Sequence, residues 1–122
     1  MRFTGTLALA ALFLGASLAA PAMADCAYPK TPGAAPNGSK STKEEMLAGK
    51  AALDKYQAEV NEYLACLDKE SGESVAQAGD NADQVKQIKL LTVKRHNAAI
   101  EELTMRADEF NQQVRAFNKA KK

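Results

Sequence analysis

Two long stretches of the chain repeat apolar residues at alternating steps of three and four, with charged residues between them. This spacing places the apolar side chains on one face of an α-helix and is typical of a helical hairpin or coiled coil. The first stretch predicts a helix over about 42–69, and its apolar positions are Met46, Leu53, Tyr56, Val60, Tyr63 and Leu67. The second predicts a helix over about 82–118, with the positions Val85, Ile88, Thr92, His96, Ile100, Leu103, Ala107, Phe110, Val114 and Phe117.

Turn and capping residues set the expected ends of these helices. Ser41 with Glu44, or Thr42 with Glu45, has the spacing of a capping box at the start of the first helix. Gly72 is the expected end of that helix, and Asp80 or Asn81 the expected cap of the next. A short connection between long amphipathic helices favours an antiparallel fold-back. The fold class is therefore predicted to be all-α, a two-helix hairpin over 42–122.

A turn near residue 75 leaves the second helix longer than the first. Phe110, Val114 and Phe117 then extend past the end of their partner and form a candidate interaction surface. The alternative is that the preceding tail, or a small shift of the turn, buries them. If the surface is exposed, it predicts a homodimer that forms a four-helix bundle, or docking to another protein.

Residues 1–24 have the pattern of a secretory signal peptide. Met1 and Arg2 precede the apolar run LALAALFLGASLAA, and Ala22-Met23-Ala24 offers small residues for cleavage near Ala24-Asp25. We therefore predict export to the periplasm or the medium. A lipid anchor on Cys26 is disfavoured, because the acidic Asp25 directly precedes that cysteine.

The segment 25–41 is rich in Pro and Gly and is expected to be an extended tail. The chain has two cysteines, Cys26 and Cys66, and an oxidising compartment favours a disulfide between them. The tail can span about 45–50 Å, and the helix from Thr42 to Cys66 is only about 36 Å long. An intramolecular bond is thus within reach and is preferred over an intermolecular bond or free thiols.

Charge and composition narrow the classes of function. The chain has 16 basic and 15 acidic side chains, and Arg2 is the only charged residue before Asp25, so residues 25–122 are formally neutral. A neutral chain argues against nucleic acid as the main partner. His96, the one histidine, is expected to be a core residue bonded to Tyr56. No catalytic, cofactor or metal motif is present, so a non-enzymatic structural or protein-interaction role is expected.

Two other functions are compatible with these features. One is a chaperone-like or envelope-stress binder in the periplasm. The other is a membrane-surface binder that uses the basic amphipathic segment FNQQVRAFNKAKK, with Phe110, Val114 and Phe117 toward the lipid. We regard membrane contact as the less favoured of the two.

The segments STKEEM, EYLACLDKE, HNAAIEEL and FNQQVRAFN together resemble a group of short exported proteins of Gram-negative bacteria whose function is not established. The resemblance extends over most of residues 25–122. It implies export, a helical fold and the cysteine pair as features of the group, and it implies no activity.

Overall fold

The computed structural model of the protein describes residues 25–122 as an antiparallel two-helix hairpin with an extended N-terminal tail. Helix α1 spans Lys43–Ala78 and helix α2 spans Ala82–Ala120. No strand occurs within residues 25–122, and the predicted all-α fold class is confirmed. The predicted signal peptide, 1–24, lies outside the described residues.

The start of α1 is fixed by a capping box at Thr42, one of the two predicted registers. The Thr42 hydroxyl accepts a hydrogen bond from the Glu45 N–H at 3.2 Å, and the Glu45 carboxylate accepts one from the Thr42 N–H at 2.7 Å. Two backbone donors without a helical partner are satisfied in this way. Glu44 and Glu45 also place negative charge at the positive end of the helix dipole.

The end of α1 differs from the prediction, because the helix continues through Gly72 to Ala78. Gly79 has φ 55° and ψ −125°, and the Asn81 N–H donates to the Ala78 carbonyl at 3.1 Å. These values match the first central position of a type II′ turn, which favours glycine. The Asn81 side chain then caps α2 by accepting from the Gln84 N–H at 3.1 Å, as predicted for this position.

Gly72 does not break the helix because the buried face continues beyond it. Val75 and Ala78 are half-buried and extend the line of Leu67 toward the turn. A glycine inside a helix costs about 1 kcal/mol relative to alanine. The hydrogen bonds and packing of the last two turns offset that cost, so the turn at Gly79 ends the helix instead.

Gly72→Ala is expected to raise the free energy of unfolding by about 0.5–1 kcal/mol, because a Cβ at this exposed helical position meets no atom within 4 Å. Gly79→Ala is the matched control and should destabilise, since alanine is strained at φ 55°. Urea denaturation of the two variants measures both effects. Destabilisation by Gly72→Ala would show that α1 ends near residue 69.

The position of the turn sets the register of the hairpin and brings Phe110 against Gly49. A Cβ built on Gly49 would lie 3.2 Å from the Phe110 ring. The helices are nearly equal in length, 36 and 39 residues, so α2 does not extend far past α1. The predicted overhang is therefore wrong, and its cause is the misplaced turn.

The main core lies between the middle of the two helices and the tail. Its buried members are Cys26, Tyr56, Val60, Tyr63, Leu67 and Ala99, with Leu64, Cys66 and Leu103 packed against them. Ile100, which was predicted on the buried stripe, is 47% exposed, whereas Ala99 is fully buried. After His96, a step of three leads to Ala99 and a step of four leads to Ile100, and both steps fit the helical pattern. The small side chain of Ala99 leaves room for the bulky side chains of α1.

The predicted disulfide is confirmed as an intramolecular bond between Cys26 and Cys66, with the Cα atoms 5.8 Å apart. The tail therefore starts beside the middle of α1 and runs back along the hairpin to Thr42. Within residues 25–122, neither helix contains an apolar stretch of the length needed to cross a membrane.

Candidate protein-interaction surface

The predicted interaction surface at the C-terminal end of α2 is covered by the chain itself. Phe110 is only 9% exposed, and Val114 and Phe117 are half-buried. The tail crosses this end of the hairpin, where the Gly38 N–H donates to the Gln113 side-chain oxygen at 2.9 Å. The prediction of an exposed surface here is wrong, and the alternative in which the tail and a shifted turn bury these residues is correct.

Two glycines allow the tail to approach the helices so closely. A Cβ on Gly38 would collide with the backbone carbonyl of Gln113. A Cβ on Gly49 would lie 2.6 Å from the ring of Pro36. Glycine at these two positions is thus a packing requirement, and the sequence pattern alone does not distinguish it from a turn signal.

A cavity of about 430 Å³ lies beside this contact, between the tail, α1 and α2. Its charged groups already have partners: Glu45 belongs to the capping box, and Arg106 binds Glu102 at 2.9 Å and Glu109 at 3.3 Å. Small-molecule sites combine an apolar lining with polar groups that point at the ligand. The cavity has the apolar lining but no unpaired charged group, and it is not assigned as a ligand site.

Tyrosines hold the other end of the tail. The hydroxyls of Tyr28 and Tyr56 are 3.1 Å apart, and the Tyr28 ring meets the Tyr63 ring edge-on with centroids 5.1 Å apart. Burial of the hydroxyl, together with its hydrogen bond to Tyr56, raises the pKa of Tyr28 above its ordinary value. The ring itself stays partly exposed, so Tyr28 covers the core instead of filling it.

Glu70 connects the tail to both helices. Its carboxylate accepts from Arg95 of α2 at 2.9 Å and, more weakly, from the Cys26 N–H at 3.5 Å. Arg95 also donates to the Tyr63 hydroxyl at 3.3 Å. This hydrogen bond and, to a smaller extent, the one to Glu70 raise the pKa of Arg95 above its ordinary value. The sequence pattern does not predict this network. Its only signal is that Glu70 lies one helical turn after Cys66.

His96 is half-buried on the helix interface, but its predicted partner is wrong. Its Nε2 atom lies 3.0 Å from an Asp68 carboxylate oxygen, with a ring orientation that does not form a hydrogen bond. The Tyr56 hydroxyl is paired with Tyr28 instead. Among residues 25–122, no group of three or more His, Cys, Asp or Glu side chains is arranged to hold a metal ion.

A row of exposed apolar residues lies on the side of α2 that faces away from α1. We call this side the outer face of α2, and it consists of Lys86, Leu90, Val93, Asn97, Ile100 and Thr104, at alternating steps of four and three. Leu90, Val93 and Ile100 are 56%, 57% and 47% exposed. Shallow hollows of about 410–590 Å³ follow this face along the helix.

The sequence contains a signal for the outer face. Leu90 and Val93 lie beside the stripe predicted to be buried, and Ile100 is predicted to lie within it. Together with Asn97 and Thr104 they form a second three-and-four series, offset from the one that packs on α1. A helix with two such series is apolar on two sides, and one hairpin partner covers only one of them.

Comparison of the chain with protein-family models, with curated proteins and with solved structures finds no match. The resemblance to the group of exported proteins stays a prediction. Inference about function therefore depends on the geometry of the surface.

Proposed function

We propose that the protein is an exported, non-enzymatic protein-interaction module whose binding surface is the outer face of α2. The observation that supports this proposal is the row of Leu90, Val93 and Ile100, three large aliphatic side chains about half exposed on one side of a helix. Contiguous apolar surface of this kind, bordered by charged residues, is typical of protein-interaction sites.

The rest of the fold supports the proposal by holding this surface in place. On the opposite side of α2, Ala99 and Leu103 pack into the core, and Arg95 binds Glu70 of α1. The disulfide ties the tail across the same region. A preformed, rigid helix loses little conformational entropy when it binds, which favours affinity.

Export is the second part of the proposal. A disulfide persists in an oxidising compartment such as the periplasm. The signal-like sequence of residues 1–24 is consistent with that location. Cleavage near Ala24-Asp25 would place Cys26 next to the new N-terminus, where the disulfide prevents the tail from fraying.

The membrane-surface hypothesis is less favoured, because the residues expected to face the lipid are covered: Phe110 is buried and Phe117 is half-buried under the tail. A chaperone-like role would use the outer face of α2 as well. The two protein-binding roles differ in what is bound. A chaperone accepts many unfolded chains, whereas an interaction module forms one defined complex.

Site-specific photo-crosslinking in cells that express the full chain tests the proposal. A crosslinking residue at Val93 is expected to give one discrete adduct. The same residue at Gln57, which is exposed on α1, should give none. A smear of adducts at position 93 would favour the chaperone-like role, and equal labelling at both positions would contradict an interaction surface on α2.

A further inference from the structure

We infer that the outer face of α2 binds the same face of a second copy of this chain, with the two α2 helices antiparallel. This inference rests on the proposed function, because it names the partner of that surface. It is carried by the order of charges along the outer face, by the position of one asparagine, and by the apolar row between the charges.

Seven charged residues lie along the outer face between Asp83 and Arg115. In chain order they are Asp83, Lys86, Lys89, Lys94, Glu101, Asp108 and Arg115. All seven are exposed. Within residues 25–122 none of them takes part in an ion pair, whereas Arg95, Glu102, Arg106 and Glu109, on the sides of α2 nearer α1, all do.

Six of these seven residues face opposite charges when two copies of the helix are placed antiparallel. In an antiparallel pair centred near Asn97, Lys94 faces Glu101 of the second copy, and Lys86 faces its Asp108. Asp83 faces Arg115 at the ends. The midpoints of the three pairs all fall between Asn97 and Ala99. Each pair occurs twice by two-fold symmetry, so these contacts join opposite charges, and Lys89 has no charged residue of the set opposite it.

A parallel pair would place each of these residues beside its own copy and would join like charges throughout. Exposed pairs of opposite charge add little affinity, but juxtaposed like charges exclude an arrangement effectively. The charge order therefore specifies the direction of the second helix, and the apolar row supplies the attraction.

The apolar residues of the outer face also pair with one another about the centre near Asn97. Leu90 and Val93 of one copy lie level with Thr104 and Ile100 of the other, so the aliphatic side chains of both halves are covered. Alternating steps of three and four allow two helices to pack side by side along such a seam. Asn97 lies near the two-fold axis, where a polar seam residue fixes register at some cost in stability.

A membrane surface fits this face less well than a second copy does. Helices that lie on anionic lipid carry mostly basic residues beside the apolar row. The outer face has three acidic residues beside four basic ones, and Glu101 and Asp108 flank its apolar residues directly.

Charge-swap variants test the inference by sedimentation equilibrium on protein purified from cells that express the full chain. The unaltered protein is expected to form a dimer. Lys94→Glu and Glu101→Lys should each weaken it about tenfold or more, because two attractive pairs become repulsive. The double variant should restore the dimer. Lys55→Glu on α1 makes the same change in net charge as Lys94→Glu, but it lies on the other helix and should leave the dimer intact.

The outcomes separate this inference from the proposed function. A monomer at all concentrations, or a double variant that is not rescued, overturns the antiparallel dimer. A discrete adduct of Val93 with a different protein would then still support the outer face as an interaction surface. An adduct of Val93 with a second copy, together with charge-swap rescue, supports both. Circular dichroism of each variant checks that these exposed substitutions preserve the fold.

Discussion

Replacing Cys26 and Cys66 by serine is expected to lower the free energy of unfolding by about 4 kcal/mol. The bond joins residues separated by 40 positions, and closing a loop of that length removes about this much chain entropy from the unfolded state. The loss is a large fraction of the 5–15 kcal/mol that is usual for a small domain. Two helices alone form a thin core, so the disulfide is a major part of the stability.

The structure gives this prediction a local signature as well. Without the bond, the tail is held by non-covalent contacts alone, such as those of Tyr28, Pro36 and Gly38, and its amides should exchange with solvent much faster. Urea denaturation measures the loss of stability, and hydrogen exchange locates it. Ser39→Ala, at an exposed serine of the same tail, is the control and should change stability by less than about 0.5 kcal/mol. A loss below about 1 kcal/mol in the double variant would contradict the role assigned to the disulfide.

Leu67→Ala should destabilise the protein by about 3 kcal/mol. Leu67 is 1% exposed and belongs to the core cluster next to Cys66 in the chain. Truncating a buried leucine removes favourable burial and leaves a cavity, and measured costs in other proteins range over about 2–5 kcal/mol. The effect is expected near the upper part of that range only if the surrounding tyrosines cannot move into the space.

Leu90→Ala is the matched control for this substitution. It removes the same atoms from a leucine that is 56% exposed on α2, so the free energy of unfolding of the monomer should change by less than about 0.5 kcal/mol. Chemical denaturation at concentrations that keep the protein monomeric measures both variants. Equal costs at the two positions would contradict the assignment of Leu90 to the outer face.

Local sequence signals predicted the parts of the fold that depend on local chemistry. The capping box at Thr42 and Glu45 involves groups three residues apart, so the start of α1 could be identified from the chain alone. The disulfide followed from the count of two cysteines and from the reach of the tail. The amphipathic spacing identified both helices and their antiparallel arrangement.

The position of the turn could not be obtained in the same way. Gly72 and Gly79 are equally plausible ends of a helix, and the backbone conformation that distinguishes them, φ 55° at Gly79, is a property of the folded chain. The error moved the register of the hairpin. It left Phe110 unpartnered in the prediction, although the structure places it against Gly49 and near Pro36.

The candidate surface was missed for a related reason. Leu90, Val93 and Ile100 are apolar, and an apolar residue on a helix is usually assigned to the core. Which of two apolar series faces α1 depends on contacts between residues far apart in the chain, such as Tyr63 with Arg95. Such contacts have no local pattern, so only the folded structure separates the buried series from the exposed one.

The central claim is that contacts between molecules form on the outer face of α2 and not at its C-terminal end. Amide spectra of the ¹⁵N-labelled protein, recorded over a dilution series, test this residue by residue. Signals of residues 86–104 are expected to move with concentration, while those of Gly38, Gln113 and Phe117, where the tail contacts α2, are expected to stay in place. Shifts concentrated at Phe110, Gln113 and Phe117, or no shift anywhere on α2, would contradict contact between two copies on the outer face.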